Sequence, residues 1–98
     1  MQITYKNKQL KEVCENATEA RKLYGQNMAR KIHQRISEMT VADSVDMMIK
    51  YRIGRCHLLS GNMKGQYAVD LEHPYRLVFK KVENEIEIVK ILEIVDYH

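Results

Sequence analysis

The sequence predicts an α+β fold, with an N-terminal strand and helices packed on one face of an antiparallel sheet. Three observations carry this expectation. Apolar residues recur with a helical period over the first half of the chain and alternate with period two over the second, and Gly, Asn and Pro punctuate the short connections. No repeat, linker or low-complexity segment interrupts the order. The 98 residues are read as a single domain, 1–98, of a size that buries roughly 60–65% of the surface its unfolded chain exposes.

Ile3 and Tyr5 alternate with polar neighbours and predict a short first strand before Asn7. Leu10, Val13, Cys14 and position 17 then share one helical face. A second helical stretch, Thr18 to Tyr24, ends at Gly25, which is expected to serve as a left-handed cap. A third begins near Asn27, where Met28, Ala29, Ile32, Ile36 and Met39 form an apolar stripe opposite Arg30, Gln34 and Ser37. Asp43-Ser44-Val45-Asp46 offers an N-cap with a carboxylate three residues on, so Val45 to Ile49 should form one or two helical turns.

After Gly54 the period changes. Cys56, Leu58 and Leu59 predict a short strand ending at Ser60-Gly61-Asn62, and Gly65 opens a second, Gln66 to Leu71. Glu72-His73-Pro74 is a tight connection, because Pro74 fixes φ and lacks a donor. Tyr75 to Lys81 makes the next strand. The last, Ile86 to Val95, contains Ile88-Val89-Lys90-Ile91-Leu92, apolar enough to be central in the sheet. Short turns make successive strands antiparallel, while the partner of the first strand is left open.

Hydrophobic residues make up 45% of the chain and charged residues 30%, the balance of an ordinary globular protein. No apolar run approaches the ~18 residues of a membrane span, and Met1-Gln2-Ile3-Thr4-Tyr5-Lys6 has no signal-peptide core. A cytoplasmic location without membrane contact is expected. Cys14 and Cys56 should then be reduced thiols, and neither belongs to a C-x-x-C pair. Cys56 and His57 are strand neighbours that point to opposite faces, and His73 and His98 are remote, so neither a metal nor another cofactor is expected. His33 reads as a helix-surface residue. Phosphate-loop, serine-elbow and Rossmann glycine patterns are missing from the sequence.

The net charge is only +3, but it is unevenly spread. Met47 to Val69 contains no Asp or Glu and carries Lys50, Arg52, Arg55, Lys64 and His57, whereas Val82 to Asp96 sets Glu83, Glu85, Glu87, Glu93 and Asp96 against Lys90. Such a basic segment suits a phosphate-bearing partner. Charge alone equally describes a solvated surface.

Three places could carry chemistry. Arg76 alternates away from Tyr75, Leu77 and Phe79, so it leaves the apolar face; its forked donors suit either a phosphate or a carboxylate such as Asp70 or Asp96. His57, at a strand end before a glycine turn, could act as a base or phosphate donor, or be an ordinary surface histidine. Asp96, Tyr97 and His98 follow directly on an apolar strand that could hold them in place. Tyr97 could stack on a base and Asp96 could orient a ring or bind an arginine; alternatively, Tyr97 caps the core.

Gly54-Arg55-Cys56-His57-Leu58-Leu59-Ser60-Gly61, then His73-Pro74-Tyr75-Arg76-Leu77-Val78-Phe79, then Glu93-Ile94-Val95-Asp96-Tyr97-His98 resemble, in that order, the RelE/HigB family of toxin–antitoxin toxins, in its HigB branch. The resemblance spans nearly the whole chain, although the helices carry little of it. It implies a RelE-like fold and a ribosome-dependent endoribonuclease that cuts mRNA without a metal, using the substrate's own 2′-hydroxyl. It also implies His57, Arg76, Asp96, Tyr97 and His98 as catalytic residues, and a helix-turn-helix antitoxin of the HigA kind as partner, with no direct DNA binding by the toxin alone. HigB-type sequences carry a Lys where this chain has Ser60. The RNA contacts are therefore expected from Arg52, Arg55, Lys64 and Ser60, with Arg55 or Lys64 compensating for the missing ammonium. Two other readings are a same-fold toxin of the ParE kind, which poisons DNA gyrase, and a non-catalytic RNA- or protein-binding module.

Overall fold

The computed structural model describes residues 1–61, 65–83 and 87–96. Strand β1 (Gln2–Tyr5) leads into helices α1 (Lys8–Glu15), α2 (Ala17–Tyr24), α3 (Gln26–Val41) and α4 (Val45–Lys50). A 3-10 turn, Ile53–Arg55, precedes β2 (His57–Leu58), β3 (Gln66–Asp70), β4 (Tyr75–Lys81) and β5 (Ile88–Asp96).

Side-chain oxygens begin three of the helices. Asn7 accepts from the Leu10 amide, Asn16 from the amides of Thr18 and Glu19, and Ser44 from Met47, each satisfying a donor that the first turn cannot. For α4 the cap is thus Ser44, not Asp43, because Ser44 has the extended backbone that turns its hydroxyl onto the helix. Gly25 ends α2 with φ 88° and ψ 170°; it has positive φ but not the left-handed helical cap expected, since the chain turns directly into α3.

The sheet order is β1-β5-β4-β3-β2. The pairs β2–β3, β3–β4 and β4–β5 are antiparallel, whereas β1 runs parallel to β5, with Ile3 opposite Val89 and Tyr5 opposite Ile91. The sheet is therefore mixed. A parallel partner requires a long crossover, and the intervening helices and hairpins supply it. This places β5 between β1 and β4, covered on both edges, as its apolar run required.

The helices cover one face. Val13, Cys14, Ala20, Met28, Ala29, Ile32, Met39, Val45 and Met48 pack with Val69, Leu77, Phe79, Val89 and Ile91 of the sheet. The helical stripe and the alternate strand residues thus meet in one core. The Met1 ammonium closes the far end of α3, donating to the carbonyl oxygens of Met39 (3.1 Å), Thr40 (2.7 Å) and Ala42 (2.7 Å). A positive charge is favoured there by the helix dipole. Cys14 and Cys56 are free and buried. Among the described residues no helix is long and apolar enough to cross a membrane.

Candidate functional site

Alternation along β3 and β4 sends Ala68 and Asp70, and Arg76, Val78 and Lys80, to the face opposite the helices. His57 joins that face because it pairs with Ala68 at the sheet edge. Beneath the polar side chains lies a small second cluster of Leu59, Ala68 and Val78, with Leu92 and Val95 packed against it. A bulge on β5, where Val78 pairs with Glu93 and Phe79 with Ile91, inserts Leu92 as the extra residue.

Asp70 organises the site. It lies directly opposite Arg76 across the β3–β4 pair, and its Oδ1 is 3.5 Å from Arg76 Nε. The Oδ2 atom is 3.3 Å from Nε of Arg55. One carboxylate therefore holds two guanidinium groups on the helix-free face. Its backbone is fixed from the other side: Arg35 Nε of α3 donates to the Asp70 carbonyl at 2.6 Å, while Arg35 Nη1 pairs with Glu38 at 2.8 Å.

The turn that carries Arg55 is built to reach this carboxylate. Arg52, Gly54 and Arg55 all have positive φ, at 54°, 59° and 56°. For the two arginines that conformation costs on the order of 1–2 kcal/mol each, a strain of the kind concentrated at functional sites. At Gly54 the reason for glycine is also steric: a Cβ there would stand 2.7 Å from Arg35 Nε. The same turn sets the imidazole. His57 Nδ1 lies 2.9 Å from the Arg55 carbonyl oxygen, which can only accept, so Nδ1 carries the hydrogen and Nε2 of the neutral ring is an acceptor.

The structure thus joins Arg55 and Arg76 through Asp70 and places His57 on the same face, beside Ala68 two residues before Asp70 on β3. Asp96 stands opposite Tyr75 at the end of β5. Arg52 lies in the same strained turn, and Ser60 is exposed just beyond β2; neither side chain makes a hydrogen bond or ion pair to the Asp70 group among the described residues. Lys64, Tyr97 and His98, named from the sequence, lie outside the described residues. His33 is exposed on α3. Asp70 had appeared from the sequence only as an alternative partner for Arg76. The three-residue turn 72–74 was the available signal, since it puts 71 against 75 and hence 70 against 76.

No family model matches the chain, and neither does any curated protein. Solved structures do. The YoeB–YefM complex from Staphylococcus aureus aligns with a TM-score of 0.64 at 19% identity, covering 100% of this chain and 97% of that one. The YoeB/ParE toxin from Agrobacterium tumefaciens aligns with a TM-score of 0.64 at 14% identity over 100% of both chains. The S. aureus YoeB dimer aligns at 0.54 and 20% identity, covering 100% of this chain and 97% of that one. These matches follow the whole course of the chain, and at such identities the likeness is one of architecture. Among the described residues, four helices against one face of a five-stranded sheet give this chain the RelE/YoeB-like toxin fold.

Proposed function

We propose that this protein is the toxin of a toxin–antitoxin system and an endoribonuclease that cuts mRNA on the ribosome through the substrate's 2′-hydroxyl. The observation that carries the reading is the set of groups on the helix-free face: an imidazole whose Nδ1 is held by the Arg55 carbonyl, which leaves Nε2 as the acceptor, and two guanidinium groups oriented by one carboxylate. Cleavage by an internal hydroxyl needs a base for that hydroxyl, cations for the charge that develops on the phosphate, and a proton for the leaving oxygen. His57 is the base in this reading and Arg76 stabilises the phosphate charge, without a metal ion. Arg55 binds a flanking phosphate. Asp96, Tyr97 and His98 complete the set through the sequence resemblance, with His98 or Tyr97 delivering the proton.

A protein antitoxin restrains the toxin in this reading, as the partner in the S. aureus YoeB–YefM complex suggests. The HigB motif order argues for a helix-turn-helix antitoxin of the HigA kind, whereas the solved neighbours carry the names YoeB and ParE. The name ParE keeps one rival concrete, a same-fold toxin that poisons DNA gyrase. The test is to express wild type, His57→Ala and Arg76→Ala and map transcript ends. Ribosome-dependent cleavage in wild type that is lost in both variants supports the proposal. Growth arrest with intact transcripts would favour gyrase poisoning, and normal growth with intact transcripts a binding module.

A further inference from the structure

Lys80 of β4 and Lys90 of β5 lie directly opposite one another. Both project from the helix-free face, because Phe79, Val89 and Ile91 beside them are buried under the helices. Opposed residues of an antiparallel pair hold their Cβ atoms about 4.5–5.5 Å apart, where like charges destabilise the sheet. Neither ammonium has an ion pair or hydrogen bond among the described residues. Asp70, an acid on the same face, is already engaged by Arg55 and Arg76. The row continues through Gln66, opposite Lys80, and Thr4, opposite Lys90.

We infer that Lys80 and Lys90 form a second phosphate-binding row, which holds the RNA strand beyond the His57–Arg76 site. The inference rests on the proposed RNA-cleaving activity and extends its binding surface. Along β4, Arg76 and Lys80 are four residues apart, roughly 13–14 Å, so the two cationic rows engage different phosphates of one strand. The row that carries His57, Ala68 and Val78 lies between them. A chain laid across His57 and Arg76 therefore runs onto the lysine pair, and its phosphates supply the counter-charge that the described residues do not. An acidic protein could neutralise the same pair, but the continuity with the Arg55–Arg76 row favours a polyanionic strand.

The test measures binding of a short single-stranded RNA, made uncleavable by 2′-O-methyl groups, to wild type, Lys80→Gln, Lys90→Gln and the double variant across a salt series. Lys22→Gln on α2 is the control. Each released phosphate contact lowers the slope of log affinity against log salt by about 0.7 for a single strand, so the double variant should lose about 1.4. Its affinity should fall several-fold while the melting temperature of the free protein rises, because the like-charge opposition is gone. A double variant that binds RNA with the wild-type slope overturns the inference, as does one that loses only an acidic protein partner. Wild type that fails to bind the oligonucleotide overturns it too. RNA bound through the lysine row, with transcripts left intact on the ribosome, would sink the proposed activity and leave this row standing.

Discussion

Asp70 and Arg76 face each other across the β3–β4 pair, with the carboxylate Oδ1 3.5 Å from the guanidinium Nε. The same carboxylate takes Arg55 on its other oxygen, so these two guanidinium groups have their orientation set by a third residue. Both partners of the Arg76 pair are partly exposed, at 30% and 25%, which limits what the contact contributes to folding to about 1 kcal/mol or less. Its value is then geometric. Asp70→Asn should lower transcript cleavage at least about tenfold, equivalent to ~1.4 kcal/mol of transition-state stabilisation, while urea unfolding changes little. Asp70→Asn that cleaves like wild type would show that Arg76 does not need its carboxylate.

Gly54 is held to glycine by two independent demands. Its φ is +59°, and a Cβ would stand 2.7 Å from Arg35 Nε. Gly54→Ala should cost about 1–2 kcal/mol for the left-handed backbone alone, plus the displacement of Arg35 from the Asp70 carbonyl. Introduced into an Arg35→Ala background, Gly54→Ala escapes that side-chain contact and should cost less. Denaturant midpoints of the two variants make the comparison, and equal losses would mean that the Arg35 contact is immaterial.

The thiols provide a pH signature. Burial pushes Cys14, with Glu15 adding to the effect, and Cys56 from 9.0 up to about 12. A raised value means that the folded state keeps its protons where the unfolded chain has lost them. Stability from this source is complete below about pH 9 and declines as pH rises through 9 towards 12. The native protein should resist a thiol-specific disulfide reagent at pH 8 and react at two sites once unfolded. Rapid labelling of the native state would contradict the burial.

The Met1 ammonium donates to three carbonyl oxygens at the end of α3. Acetylating that amine removes its charge and the hydrogen bonds that depend on it. A loss of about 1 kcal/mol is expected, from the helix-dipole and charged hydrogen-bond contributions with solvent exposure discounted. Thermal melts of acetylated and free protein at neutral pH would measure it, and identical melting temperatures would show the contact to be idle.

Much of the fold could be read from local pattern. The stripe Met28, Ala29, Ile32 and Met39 is the buried face of α3, and Tyr75–Lys81 is a strand with the expected limits. Other limits moved where tertiary contacts decide. The strand expected from Cys56 to Leu59 is reduced to His57–Leu58, because the Cys56 amide closes the preceding 3-10 turn on the Ile53 carbonyl. The site was legible in part. Alternation put Arg76 on the helix-free face, and the glycine turn put His57 at a strand end. Lys80 and Lys90 lie outside the basic segment 47–69 in sequence but share the site's face.

The sequence by itself determined which side of each strand is apolar, where the helices start, and that Arg76 must leave the core, because these depend on side-chain period and on capping chemistry within a few residues. Only the tertiary structure decided that β1 runs parallel beside β5, that one carboxylate at the end of β3 holds both Arg55 and Arg76, and that two lysines meet across β4 and β5. Each of these depends on register between segments distant in the chain. Period reveals the face a residue occupies, and only strand pairing reveals its neighbour on that face.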